Sequence, residues 1–238
     1  MPQFVWTFWA GGAQEDELRW SIRSTLCFFP NAKITVIGDP PNWYRGHTIY
    51  RPKIPETKDH NTNDVIEKIW TLANSDEISE TFIWMMDDIY FLNQCSIEDL
   101  SIARASFEPE CFLNMKFKKW KRMKFQTYEV LKSGGYSTFN YATHLPQVVT
   151  KTNIRKIFET FQIRTPYLWE VLYGNMFRGC PEDSRPFLHT QNEPVSIENA
   201  EKAKQTSIIL NHGNKRGWST EFRIWLSSQY PTLTEVEQ

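Results

Sequence analysis

Long hydrophobic runs are missing from this chain of 238 residues. Nowhere do about 18 apolar residues follow one another, so no transmembrane helix is expected. The longest candidate, Thr81 to Met86, meets two aspartates at once. Met1 to Phe8 has no positively charged leader, and its apolar run is too short for a signal peptide. Together these absences predict a cytoplasmic protein. Cysteine is scarce: Cys27, Cys95, Cys111 and Cys180 are widely spaced, and no Cys-x-x-Cys pair suggests zinc. Their apolar neighbours predict reduced core residues. Net charge is also nearly absent, at −1, so any grip on a polyanion must come from a local patch. Internal repeats and low-complexity tracts are lacking too.

What is present fits one large globular domain. Ten tryptophans and a 15% aromatic content leave two readings open, rings that stack on sugars or bases and rings that build a core. Phe4 to Trp9 reads as an apolar strand broken by Gly11-Gly12. Asp16 and Glu17 suit a helix's first turn, and Leu18, Ile22, Leu26 and Phe29 recur at helical spacing up to Pro30-Asn31. A β-rich run from Lys33 to Ile37 then ends at the turn Gly38-Asp39-Pro40-Pro41. That strand–helix–strand unit implies parallel neighbours with a right-handed crossover. His47 to Tyr50 suggests a further short strand, and residues 52 to 63 a loop over the sheet edge. Val65, Ile69 and Leu72, with Ile66, Trp70 and Ala73, predict a buried helix. Helices are also predicted over 151–161, 166–178 and 219–229, and a strand over Ser207 to Leu210. The alternation predicts α/β architecture with an open sheet flanked by helices.

Asp87-Asp88 is the sharpest feature, because it falls at the carboxyl end of a fully apolar strand, where open α/β sheets bind ligands. Adjacent carboxylates repel unless something positive neutralises them. A hard cation such as Mg²⁺ or Mn²⁺ takes one or two carboxylates plus phosphate oxygens. His144, in Thr143-His144-Leu145-Pro146, has the near-neutral pKa that suits a base for an acceptor hydroxyl. Arg19 and Arg23 share one helix face and suit a phosphate or an acidic wall. Arg164 follows a stripe of core residues and precedes Thr165-Pro166. The run from Lys116 to Phe125 carries Lys116, Lys118, Lys119, Lys121, Arg122 and Lys124 among Phe117, Trp120 and Met123. Its charges fall on every side, so it does not read as an amphipathic helix. It suits an anionic acceptor, with an aromatic ring stacking, or else a solvated face.

Read in order, these pieces resemble the Stealth family of sugar-phosphate transferases. Glu17-Leu18-Arg19-Trp20-Ser21-Ile22-Arg23-Ser24 is similar to that family's E-L-R-Y-S-L-R-S run, and Phe82 to Asp88 to its F-I-Y-L-N-D-D. Lys33 to Asp39 with Asn42-Trp43, Thr143 to Pro146, Leu210-Asn211-His212 and the stretch from Tyr230-Pro231 to Glu237 match further blocks in the right order. The chain departs from the pattern at Gln3, Met86 and His212.

The resemblance implies a Rossmann-like GT-A type domain over 1–238, with 105–143 as a candidate acceptor-binding insertion. It implies a nucleotide-sugar donor and a metal-assisted transfer of a glycosyl or sugar-1-phosphate unit to a hydroxyl. Asp87 and Asp88 would hold the metal, and Asp88, His144 and Arg164 would act in catalysis. Trp6, Thr7, Gly11, Arg19, Arg23 and Asp39 would line the donor side. Lys116, Lys118, Lys119, Trp120, Lys121 and Arg122 would meet a polyanionic acceptor, either polysaccharide or DNA. Hydroxylated bases of phage or bacterial DNA are one alternative acceptor, and a non-catalytic nucleotide- or sugar-binding module is the other reading.

Overall fold

The structure, a computed structural model, describes residues 1–14, 16–51, 53, 60–106, 118–163, 167–190, 193–212 and 216–237, with backbone alone for 60–62 and 118–120. Strand β1 (Gln3–Trp9) leads to helix α1 (Glu17–Phe28), strands β2 (Lys33–Asp39) and β3 (His47–Tyr50), helix α2 (His60–Asn74) and strands β4 (Thr81–Met85) and β5 (Ile89–Phe91). The chain continues through α3 (Ile97–Ser101), β6 (Arg104–Ala105), α4 (Lys118–Ser133), β7 (Gln147–Thr150), α5 (Lys151–Phe161) and α6 (Trp169–Phe177). It closes with β8 (Glu182–Asp183), β9 (Leu188–Thr190), α7 (Ile197–Thr206), β10 (Ile209–Asn211) and α8 (Thr220–Gln229).

The main sheet has the order β3-β2-β1-β4-β7. Its first four strands are parallel, and β7 runs antiparallel to β4 at the edge. Strand β1 is central and covered on both faces, which is why Phe4, Val5 and Trp6 read as one unbroken apolar run. Alternate residues feed two cores. Val5, Ile37, Phe82, Trp84 and Val149 pack with α2, α5 and α6 on one face, and Phe4, Trp6, Val36, Ile83 and Met85 pack with α1 on the other. A second sheet, β5-β10-β9, and helices α7 and α8 enclose a third core around Tyr90, Leu210, Phe222 and Trp225.

From β1 the chain steps outward through β2 to β3, then returns to the far side of β1 as β4. That reversal makes the carboxyl ends of β1 and β4 a topological switch point, the usual crevice for ligands in such sheets. Because β7 is antiparallel, the residues that precede it reach the same edge.

Several sequence expectations need correction. The basic run does form helix α4 from Lys118 onward, because Met123, Thr127 and Leu131 make a buried stripe that the surrounding charges hide. Helix α2 already begins at His60, within the expected loop; residues 52 and 54–59 lie outside the described residues. Of the three described cysteines Cys95 is buried, whereas Cys27 faces outward from α1 and Cys180 sits in the bend after α6, both exposed. Cys111 is outside the described residues. Most large rings serve the core, as Trp6, Trp84, Trp169 and Trp225 are all buried.

Candidate active site

Helix α1 fixes the turn that carries the two acids. Its Ser21 hydroxyl donates to the Ile89 carbonyl at 2.7 Å, immediately after Asp87-Asp88, and accepts the Trp6 Nε1 proton at 3.0 Å. Three elements are thus tied through one hydroxyl, each bond contributing about 1 kcal/mol. Trp6 is fully buried in this role, and its indole supports the acid-bearing turn from behind.

Strand β10 completes the turn's surroundings. Its antiparallel register sets Asn211 opposite Ile89, and the Asn211 amide donates to the Asp88 carbonyl at 3.0 Å. The next residue, His212, is buried with Nε2 at 3.1 Å from Glu17 and 3.1 Å from the Tyr90 hydroxyl. Glu17 also accepts the backbone N–H of Gln14, so one carboxylate holds the loop after β1 and the residue after β10 together. Sequence reasoning placed Glu17 at a helix start and in the first resembling block, and His212 in a late block as a departure, without joining them. Their pairing depends on the β5–β10 register, which no local pattern reports.

His144 approaches from the other side, with Nδ1 at 3.4 Å from Asp88 Oδ2 and 3.4 Å from the Asn211 amide nitrogen. Its φ of 52° lies in the left-handed region, where a non-glycine residue costs of order 1–3 kcal/mol and persists only if its surroundings enforce it. Asp87 and Asp88 keep partial access to solvent although protein surrounds them.

The electrostatics are lopsided. Burial, the neighbouring Asp88 charge and then Glu17 push the Asp87 carboxyl well above the ordinary aspartate range. Burial also works against the Asp88 charge, but the His144 ring, its hydrogen bond, His212 and Asn211 outweigh it and hold Asp88 low. Burial draws His144 down, yet Asp88 and Glu170 hold it above the ordinary histidine value. Despite this company, Asp88 Oδ1 is buried with no hydrogen-bond partner among the described residues. A carboxylate oxygen left so is expensive unless a cation or ligand donor meets it.

The remaining expected residues are more dispersed. Thr7, at the end of β1, accepts the Trp84 Nε1 proton at 3.2 Å, and Asp39 accepts the Ala10 N–H at 3.3 Å. Gly11 and Gly12 lie against the Trp9 ring so closely that a Cβ at Gly11 would stand 2.7 Å from it. Arg23 is buried and donates to Glu237 at 2.8 Å, while Arg19 Nε stands 3.2 Å from the same carboxylate. Of the two partners expected for this pair, the structure supplies the acidic wall, Glu237. Lys121 and Arg122 are half-buried on α4. Arg164, Lys116 and the side chains of Lys118, Lys119 and Trp120 lie outside the described residues. Gln3 sits at the far end of β1, where its amide spans Thr35 and Ser79, so this departure is remote from the acids.

The mostly parallel sheet and its flanking helices make a GT-A-like, Rossmann-type fold. The galactosyltransferase LgtC, solved in complex with donor and acceptor sugar analogues, superposes with a TM-score of 0.50 at 11% identity over 98% of both chains. The apo form of the glycosyltransferase GlyE of Streptococcus pneumoniae TIGR4 aligns at a TM-score of 0.49 and 10% identity, covering 98% of this chain and 60% of that one. A glycosyltransferase involved in glycosylation of the major capsid of PBCV-1 aligns at 0.45 and 11%, covering 98% and 100%. No protein-family model matches the chain, and no curated protein matches it. Among the described residues, no helix is long and apolar enough to cross a membrane.

Proposed function

We propose that this chain transfers a sugar from a nucleotide-sugar to an acceptor hydroxyl. The observation that carries this reading is the pair Asp87-Asp88 at the β1/β4 switch point, with one buried carboxylate oxygen unpartnered and His144 at 3.4 Å from the other. The fold shared with LgtC supports it.

A divalent cation fits the acids. Their mutual repulsion and the orphaned Asp88 Oδ1 call for positive charge. Among the described residues, no three His, Cys, Asp or Glu side chains can hold a metal by themselves. Donor phosphate oxygens and water would complete the shell, which suits Mg²⁺ or Mn²⁺. Asp87 and Asp88 would hold the ion, which when bound supplies charge neutralisation at the departing nucleotide diphosphate.

The chain's own groups do the rest. His144, turned toward the acids by its left-handed backbone, takes the proton of the acceptor hydroxyl. That oxygen forms the new bond to the anomeric carbon, and the bond to the nucleotide diphosphate breaks with its electron pair going to the phosphate oxygen. The Glu17–His212–Tyr90 bridge keeps β10 and the loop after β1 in register around the acids.

Transfer of an intact sugar-1-phosphate, which the Stealth resemblance implies, draws less support, because Arg19 and Arg23 are engaged by Glu237. No observation favours DNA as the acceptor. Turnover of a panel of nucleotide-sugars, with and without Mn²⁺, tests the proposal through Asp88→Asn and His144→Ala. Each is expected to lower turnover by about 10²-fold or more. Wild-type rates in both variants would remove the assigned roles.

A further inference from the structure

Three parts of the chain meet beside the segment that follows His144. Leu145-Pro146-Gln147 leads from that histidine into β7, Arg104 opens β6, and Arg178 caps the end of α6. With Leu100, Ile102 and Phe187 they line one small cavity. About 10 Å³ of it is open to the centre of a water-sized particle, which is room for a single occupant.

The cavity is short of negative charge. Arg178 donates from Nη2 to the Val148 carbonyl at 2.6 Å and stands 5.4 Å from the centre of the Tyr173 ring. Among the described residues no carboxylate pairs with it. Arg104 is buried, donates from Nη1 to the Asp99 carbonyl at 2.5 Å and covers the Phe187 ring at 3.9 Å. Its ion-pair partner, Glu182, stands 3.9 Å from Nε with most of its side chain in water. None of the described residues that line the cavity is acidic. Burial pulls both guanidiniums below the ordinary arginine value, so each charge is held against a desolvation cost.

Gln147 is a second, independent sign. It is only 4% exposed, yet its side-chain amide makes no hydrogen bond to another described residue. A buried amide left so favours any occupant that accepts its N–H protons.

We propose that Arg104, Arg178 and Gln147 form a binding site for a single-atom anion such as chloride, seated against the segment that carries His144. A guanidinium only donates hydrogen bonds, and the glutamine NH₂ donates as well, so the polar wall matches an occupant that only accepts. Size and lining select among anions. Phosphate or carboxylate needs more room, and Leu100, Leu145, Pro146 and Phe187 offer nothing to additional oxygens. Guanidinium groups are weakly hydrated, which suits an ion that must shed its water to enter. The bound ion offsets the repulsion between two like charges and joins β6, the end of α6 and the start of β7. It thereby steadies the strap from which His144 reaches Asp88.

Thermal melting of the full chain in sodium chloride and in sodium gluconate, at equal ionic strength, tests the site. Gluconate is too large to enter, and general screening is the same in both salts. Tm is expected to rise with chloride along a saturating curve, by about 3–6 °C at tenfold excess over the dissociation constant. Arg178→Gln should erase the chloride-specific rise. Gln147→Leu, which keeps size, should weaken chloride by about 10-fold, the lower end for a hydrogen bond to a charged group. Identical melting of the wild-type chain in the two salts overturns the inference. So does a chloride response that both variants leave unchanged, since it then belongs to the surface at large. Should Arg178→Gln not fold, broadening of the ³⁵Cl resonance decides: broadening by wild type that Gln147→Leu weakens supports the site, and equal broadening overturns it. None of these readouts involves sugar transfer, so the site stands or falls apart from the proposed reaction.

Discussion

Two knots of buried charge lie along helix α1, and they are built on opposite terms. Glu237 receives Arg23 at 2.8 Å, Arg19 at 3.2 Å and both the N–H and hydroxyl of Thr234, so its charge is fully met. One and a half turns toward the N-terminus, Glu17 faces the Asp87–Asp88 turn, where acids outnumber cations and one oxygen has no partner. The first knot fastens the chain's last residues onto α1. The second keeps a deficit of positive charge at the mouth of the sheet. A satisfied cluster is architecture; a deficient one is a place for a ligand.

The comparison breaks most sharply at Arg23. Arg23→Leu leaves Glu237 buried with only Arg19 beside it, and unfolding by denaturant should show a loss of about 3–5 kcal/mol. A variant within 1 kcal/mol of wild type would mean the knot does not hold the fold.

The pH dependence of stability sharpens it next, because Glu237 of the first knot and Asp87 of the second have opposite signs. Burial opposes the Glu237 charge, but Arg23 and Thr234 outweigh it and hold this carboxyl below the ordinary glutamate value. Its contribution is therefore complete above that value, about 4.3, and is lost as pH falls through the depressed folded value. Asp88, also held low, acts in the same acid range. Asp87 is raised, so the folded chain keeps a proton that the unfolded chain has released. Its contribution is complete below about 3.9 and disappears as pH climbs toward the folded value. In metal-free buffer Asp87→Asn should flatten the decline of Tm on the alkaline side, and Glu237→Gln the decline on the acid side. Parallel curves for wild type and Asp87→Asn would contradict the deficit.

The smallest effect is local. Ser21→Ala deletes the hydroxyl that joins Trp6 to the acid-bearing turn and should cost about 1–3 kcal/mol, since a buried indole N–H loses its acceptor. No change in melting would show that the turn holds itself.

Much of this was legible from residues alone, for reasons that also explain the remainder. Strands β1, β2 and β4 are buried on both faces, so they appear as apolar runs, and the arrival of two aspartates at the end of such a run marks a ligand edge. Helix α5 was visible from Ile154, Ile157, Phe158 and Phe161. By contrast, α7 buries only the small Ala200 and Ala203 toward the core, and its signal is faint. The helical stripe of α4 was hidden because one of its inward positions is a lysine. Glu17 and His212 stand 195 positions apart, and only the pairing of β5 with β10 brings them within 3.1 Å. Local pattern reports which surface of an element is oily; it does not report which distant element will cover it.

Running one edge strand backwards has a further consequence. Because β7 opposes its neighbours, the chain enters the ligand edge before that strand, whereas it leaves the edge after β1, β2 and β4. The surroundings of the acids are thus assembled from stretches far apart in sequence: one finished by residue 91, His144 ahead of β7, and Asn211-His212 at the end of β10. Changes in length or composition ahead of β7 can remodel one wall while the opposite wall, with its acids, keeps its scaffold.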